Sequence, residues 1–120
     1  MVKLRKATLK DCKFIYDLRF SEDVVEVSTT KTIPYYHQHR IWYKKHYKFI
    51  SMIMLKDKRI GYAIQEDYVS IALHFKHRGK GIGKEVISML DGKAVILSHN
   101  YSSLNAFVQS GWKIKGFYLN

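Results

Sequence analysis

Cysteine and proline each occur once in this chain of 120 residues. The lone Cys12 can form no internal disulfide and cannot by itself hold a metal, which points to a reducing compartment and away from redox chemistry. With so little proline, 47% hydrophobic and 26% charged residues, the chain is expected to fold as one compact domain over residues 1–120, not as a low-complexity tail or a repeat array. Long apolar runs are missing too. The longest, Phe49 to Leu55, contains Ser51 and falls far short of the roughly 20 residues that span a bilayer. The basic start Met1-Val2-Lys3-Leu4-Arg5-Lys6 has no apolar stretch behind it, so no secretory signal and no membrane partner are expected, and the expected location is cytoplasmic.

Acidic residues are also scarce, 10 Asp and Glu against 21 Lys and Arg, for a formal charge of +11. Such a surplus favours an anionic partner: nucleic acid, an acidic membrane surface or a phosphorylated small molecule. Composition does not choose among them.

Periodicity supplies the elements. Lys3 to Ala7 is a short first strand. Thr8 caps a helix over 9–20, in which Cys12, Ile15 and Leu18 share a face. Polar residues from Ser21 to Lys31 interrupt the pattern, and Pro34 opens a second helix from about Tyr35 to His46 with Ile41 and Trp42 as its buried residues. Lys48–Leu55, Arg59–Gln65 and Asp67–Phe75 read as an antiparallel meander. Ile82, Val86 and Leu90 mark a helix over 82–91 that Gly92 ends. The run Ala94-Val95-Ile96-Leu97 suits a strand covered on both faces, Asn100 caps another helix, and Trp112 to Leu119 reads as a last strand. The expected fold class is α/β, a mixed α+β sheet in the order β-α-α-β-β-β-α-β-α-β. Within it, 67–75, the helix 82–91 and 94–97 form one parallel, right-handed strand-helix-strand unit.

That unit carries the chemistry. Between strand and helix lies Lys76-His77-Arg78-Gly79-Lys80-Gly81-Ile82-Gly83-Lys84. Glycines let the backbone turn tightly and present its amides, and the helix start adds partial positive charge, so an anion such as a pyrophosphate is expected there, complemented by Arg78, Lys80 and Lys84. A glycine-rich turn merely solvated by its lysines is the plain alternative. The Walker pattern fails, because Gly83-Lys84 has Arg78 upstream where glycine is needed and Glu85 downstream where Ser or Thr is needed. The dinucleotide fingerprint fails as well, since Gly79, Gly81 and Gly83 are spaced G-x-G-x-G.

What does fit is R-x-x-G-x-G, as Arg78, Gly81 and Gly83, after a strand and at the opening of a helix. Here the chain resembles the GCN5-related N-acetyltransferase (GNAT) superfamily, in which that motif wraps the pyrophosphate of acetyl-CoA. Asn100-x-x-Ser103-x-x-x-Phe107-x-x-x-Gly111-Trp112 is similar to the family's second signature helix, and the order of elements is also the family's. The resemblance implies an enzyme that moves an acetyl group from acetyl-CoA to an amine by direct attack. It implies coenzyme contacts from Arg78 through Lys84, including Gly79, Lys80, Gly81, Ile82 and Gly83, and from Asn100, Ser103 and Phe107. The backbone amide of Leu73 then becomes the donor that polarises the thioester carbonyl. For Asn100 a plain helix cap is the alternative role.

Transfer needs a group that takes the amine's proton and one that protonates the thiolate. Family bases often sit on the strand before the coenzyme loop, and alternation selects Asp67, with Glu66 next and Tyr68 or His74 if a bulge shifts the register. A simple hairpin-turn carboxylate is the alternative for Asp67. The family's frequent tyrosine acid is Phe107 here, which donates nothing, leaving Tyr101, Tyr118 or solvent. Arg19, His39 and Trp42 fall in a segment that resembles a branch acetylating amino groups of nucleotide-linked sugars, with His39-x-x-Trp42 as its telling piece. That branch implies an amino-sugar nucleotide as the small-molecule amine acceptor. His37, His39 and His46 lack a ligand pattern and read as surface or acceptor-site histidines, so no metal is expected. Lysines spread over every element argue against nucleic acid, although a small basic nucleic-acid-binding module, or a coenzyme-binding domain without catalysis, is the rival reading. Compared with the family, one strand after Trp112 is expected to be missing, and either a second chain or the last strand is expected to fill the edge, giving a homodimer or a monomer.

Overall fold

The computed structural model describes residues 1–28, 32–97 and 99–117. Tyr118 and the end of the expected last strand lie outside the described residues. Four strands form one antiparallel sheet in the order β1 (Val2–Lys6), β2 (Ile50–Leu55), β3 (Lys58–Gln65) and β4 (Val69–Leu73). Five helices complete the described fold: α1 (Cys12–Arg19), α2 (Glu22–Glu26), α3 (Tyr36–His46), α4 (Ile82–Ile87) and α5 (Tyr101–Gln109). The class is α+β. Among the described residues, no helix is long and apolar enough to cross a membrane.

Alternation along the strands divides the interior in two. On one face Met52, Tyr62 and Ala72 pack with Ile15 and Leu18 of α1 and Tyr43 of α3. On the other, Ile53, Ala63 and Leu73 pack with Val86 and Ile87 of α4 and Phe107 of α5. β2 and β3 shift register at Ile53/Met54, where Gly61 and Arg59 are the paired residues and Ile60 is left as the extra one of a bulge. Gly61 lies opposite Leu73, and a Cβ there would come within 2.2 Å of the Ala72 carbonyl oxygen, so this close strand approach requires glycine.

Several expectations hold. Thr8 caps the first helical turn in a box with Asp11, whose Oδ2 accepts from the Thr8 N–H at 2.8 Å. Burial pushes the Asp11 carboxyl up, but bonds from Arg5, Thr8 and Arg59 outweigh it and hold Asp11 below the usual carboxylate range. Cys12 is a buried core residue.

Others are corrected. The segment 22–26 is helical, not merely polar connection, because Val24 finds burial against the α1 core. In α3 the buried residues are His39 and Tyr43, whereas Ile41 is 51% exposed. Their i, i+4 spacing sets the inward stripe, which passes Ile41 by. α4 stops at Ile87, and short i+3 bonds from Met89 and Leu90 lead on toward Gly92. The expected parallel strand 94–97 is absent, so among the described residues the sheet is antiparallel and not mixed. Its apolar run is explained otherwise: Ala94 and Ile96 pack into the α4–α5 core while Val95 stays exposed. Residues 112–117 form no strand either, and Ile114 and Phe117 are exposed.

Candidate active site

β4 is the sheet edge, and its hydrogen-bond parity decides what faces outward. The His74 N–H bonds the Ile60 carbonyl, so Tyr62–Ala72 and Ile64–Ser70 are hydrogen-bonded pairs, while Gly61–Leu73, Ala63–Ile71 and Gln65–Val69 are not. The N–H groups of Val69, Ile71 and Leu73 therefore point away from β3. Val69 donates to the Lys93 carbonyl at 2.6 Å, and this is the one backbone bond recorded between β4 and 93–97 among the described residues. Beyond it the two segments part, and both line a cavity of ≈ 690 Å³. The outward amides of Ile71 and Leu73 open toward that space.

The coenzyme-loop residues frame one end. Gly79 (φ +72°) and Gly81 (φ +78°) adopt the left-handed conformation that favours glycine, with nothing within 4 Å of a Cβ at either. Among the described residues, the N–H groups of Gly81, Ile82, Gly83 and Lys84 have no protein acceptor, and Gly81 caps α4 without a side-chain bond. Lys80 and Lys84 are exposed, and Gly83 lines the cavity. Arg78 behaves differently from expectation. Its Nε donates to the Leu73 carbonyl at 2.9 Å and its Nη1 to Asp23 Oδ2 of α2 at 2.5 Å, so it bridges the cavity instead of turning to the loop amides. Burial pushes the Asp23 carboxyl up, yet the bonds from Arg78 and Ser21 leave it lowered.

The second signature helix closes the same end. Asn100 Oδ1 accepts from the Ser103 N–H at 3.4 Å, so the capping role is present, and Asn100, Ser103 and Phe107 all line the cavity. Phe107 packs edge-on against Trp112. Tyr101, by contrast, is 70% exposed and does not line the cavity.

The opposite end is aromatic and charged. The Arg19 guanidinium lies 4.4 Å from the Trp42 ring centroid, His46 stacks on Trp42, and His46 Nδ1 lies 3.0 Å from Glu66. Glu66, Asp67 and Tyr68 make the three-residue turn between β3 and β4. Asp67 thus stands outside the strand whose alternation selected it. Both carboxylates line the cavity, but four strand steps, about 13 Å, separate Val69 from Leu73. His39 is not in the cavity wall: it is 2% exposed among Tyr16, Phe20, Tyr36, Trp42 and Tyr43. Burial, with Arg19 nearby, lowers its pKa to about 4, and its Nε2 has no partner among the described residues. Among the described residues, no group of three or more His, Cys, Asp or Glu could hold a metal ion.

In structure the chain is similar to yncA of Salmonella typhimurium, solved with its cofactor acetyl-CoA, at 20% identity and a TM-score of 0.78 over 97% of this chain and 82% of that one. A GNAT-family acetyltransferase from Bacillus anthracis superimposes with a TM-score of 0.80 at 15% identity, covering 98% and 82% of the two chains. The fold is that of the GNAT acetyltransferases. The aminoglycoside acetyltransferase AAC(6')-Ib in complex with coenzyme A is also similar, with 16% identity and a TM-score of 0.74 over 97% of this chain and 86% of that one. No protein-family model matches the chain, and no curated protein matches it in sequence.

Sequence reasoning missed Asp23 and Tyr62 as cavity residues. For Tyr62 the signal was available, since it shares a strand face with Ile64 by alternation, at the position that pairs with Ala72. For Asp23 there was none, because its role depends on α2 approaching Arg78 across a separation of 55 residues.

Proposed function

We propose that this protein is an acetyl-CoA-dependent N-acetyltransferase acting on a small-molecule amine. The observation that carries the reading is the outward N–H of Leu73, which opens into a ≈ 690 Å³ cavity beside the glycine loop. A carbonyl placed there meets a fixed backbone donor, the arrangement that stabilises charge developing on oxygen. When bound, acetyl-CoA supplies an acetyl group activated as a thioester. The free amides of Gly81 to Lys84, the open left-handed glycines 79 and 81, and the exposed Lys80 and Lys84 suit its diphosphate. Asn100, Ser103 and Phe107 line the wall that would face the bound coenzyme.

Arg19, Trp42, His46 and Glu66 form the acceptor end. Glu66 and Asp67 stand too far along the strand to touch the reacting amine, so either acts as base through intervening water. An amino-sugar nucleotide acceptor retains support from Arg19, which can meet a phosphate, but loses the contribution of His39, which the core encloses. A second reading, coenzyme binding without catalysis, draws on Phe107 in place of a tyrosine and on the outward-facing Tyr101.

Calorimetry with acetyl-CoA, followed by thiol release against a panel of amines that includes an aminoglycoside, a polyamine and an amino-sugar nucleotide, tests both. Binding with thiol release supports the enzyme; binding without release from any amine supports the second reading. Absence of binding defeats both.

A further inference from the structure

The cavity wall contains a buried tyrosine whose hydroxyl has no hydrogen-bond partner among the described residues. Tyr62 is 2% exposed, packs in the core with Ile15, Leu18 and Met52, and lines the cavity. Its hydroxyl makes no hydrogen bond among the described residues, yet it is not among the enclosed polar atoms lacking a partner, so what remains exposed of it opens to the cavity. Tyr62 pairs directly with Ala72, the neighbour of Leu73, and the Ala72 side chain is a single methyl on the face where the tyrosine ring lies. The other tyrosine in the wall, Tyr68, sits in the β3–β4 turn at the far end of β4. Burial pushes the Tyr62 phenol up to about 12, against a small opposing effect of Arg19, so at neutral pH it keeps its proton.

Resting on the acetyltransferase reading, we propose that Tyr62 is the proton relay of the transfer, the part that Phe107 cannot take. As the acceptor nitrogen bonds to the acetyl carbon and the carbon–sulfur bond breaks, the sulfur keeps the bonding pair and receives the Tyr62 hydroxyl proton. The nitrogen gives its extra proton to the same phenolic oxygen. Tyr62 ends as it began, and the net change is one proton moved from amine to thiol. Nitrogen and sulfur share one carbon in this step, so a single hydroxyl reaches both. A relay of this kind builds no lasting phenolate in the apolar wall, where an isolated charge is costly.

The test compares Tyr62→Phe with Tyr43→Phe, which removes the hydroxyl that bonds the Thr8 carbonyl outside the cavity. Tyr62→Phe is expected to lower kcat about 100-fold or more, while leaving KM for the amine, acetyl-CoA affinity by calorimetry and the melting temperature close to wild type. Tyr43→Phe is expected to lower the melting temperature and leave kcat unchanged. As a readout independent of turnover, the tyrosine ring carbon resonance that disappears in Tyr62→Phe should move when coenzyme A is added to the wild-type protein, and the Tyr43 resonance should not. Wild-type kcat in Tyr62→Phe, a kcat loss matched by unfolding, or an unmoved Tyr62 resonance in a protein that binds coenzyme A each overturns the relay. Failure of the wild-type protein to bind acetyl-CoA overturns the parent reading instead, and the relay with it.

Discussion

Arg78 and Asp23 are joined across the cavity, guanidinium to carboxylate at 2.5 Å, while the same arginine holds the Leu73 carbonyl. The pair ties α2 on the proposed acceptor side to the edge strand on the proposed coenzyme side. An arginine so engaged is shared between a protein carboxylate and any phosphate that enters the loop.

Removing the competing carboxylate should favour the phosphate. Asp23→Asn is expected to tighten acetyl-CoA binding by up to about fivefold, the range of a half-exposed ion pair, and Arg78→Ala to weaken it. Calorimetry of the two variants at low and moderate salt reads both effects, and weaker binding in Asp23→Asn would show that the pair supports the site instead of competing with it.

Gly61 controls how closely β3 and β4 approach. In Gly61→Ala the new Cβ meets the Ala72 carbonyl oxygen at 2.2 Å and the Leu73 Cα at 3.1 Å, backbone atoms that cannot yield without moving the edge strand. The expected cost is about 2–3 kcal/mol of stability, measured by urea unfolding, together with weaker coenzyme binding because Leu73 shifts.

His39 makes stability depend on pH. Its folded pKa of about 4 lies below the ordinary 6.5, so on acidification the unfolded chain takes up the proton first. Stability from this group is complete above pH 6.5 and declines as pH falls toward 4, by roughly 2 kcal/mol between pH 7.5 and 5. His39→Phe should flatten that part of the curve in urea titrations at the two pH values. It should not destabilise the protein at pH 7, since it also removes the unpartnered Nε2.

Local signals were legible in the chain. Thr8 with Asp11, the meander from Ile50 to Leu73, and Asn100 ahead of an apolar helical face each rest on neighbours within a few residues, and each was found. The loop glycines 79 and 81 were legible for the same reason, as their backbone angles are a local matter. What failed was burial judged by residue type. Ala94 to Leu97 looks like a two-sided strand, but its alanine and isoleucine are covered by helices; Ile41 looks buried, but the phase of α3 turns it outward. Asp67 was chosen by extending strand alternation two residues past the point where the strand begins, into a turn that no period governs. The pairing of Arg78 with Asp23 and the seat of Tyr62 depend on packing between distant segments, which spacing alone does not encode.

The outward amides of Ile71 and Leu73 belong to the main chain, so whatever they address is read without regard to the side chains that β4 carries. Point substitution can change the shape of the wall around them but cannot delete the donors, with one exception: proline at either position, which has no N–H to offer. A contact built this way tolerates extensive sequence drift, and the same fold is recognisable here in proteins that share no more than a fifth of its residues.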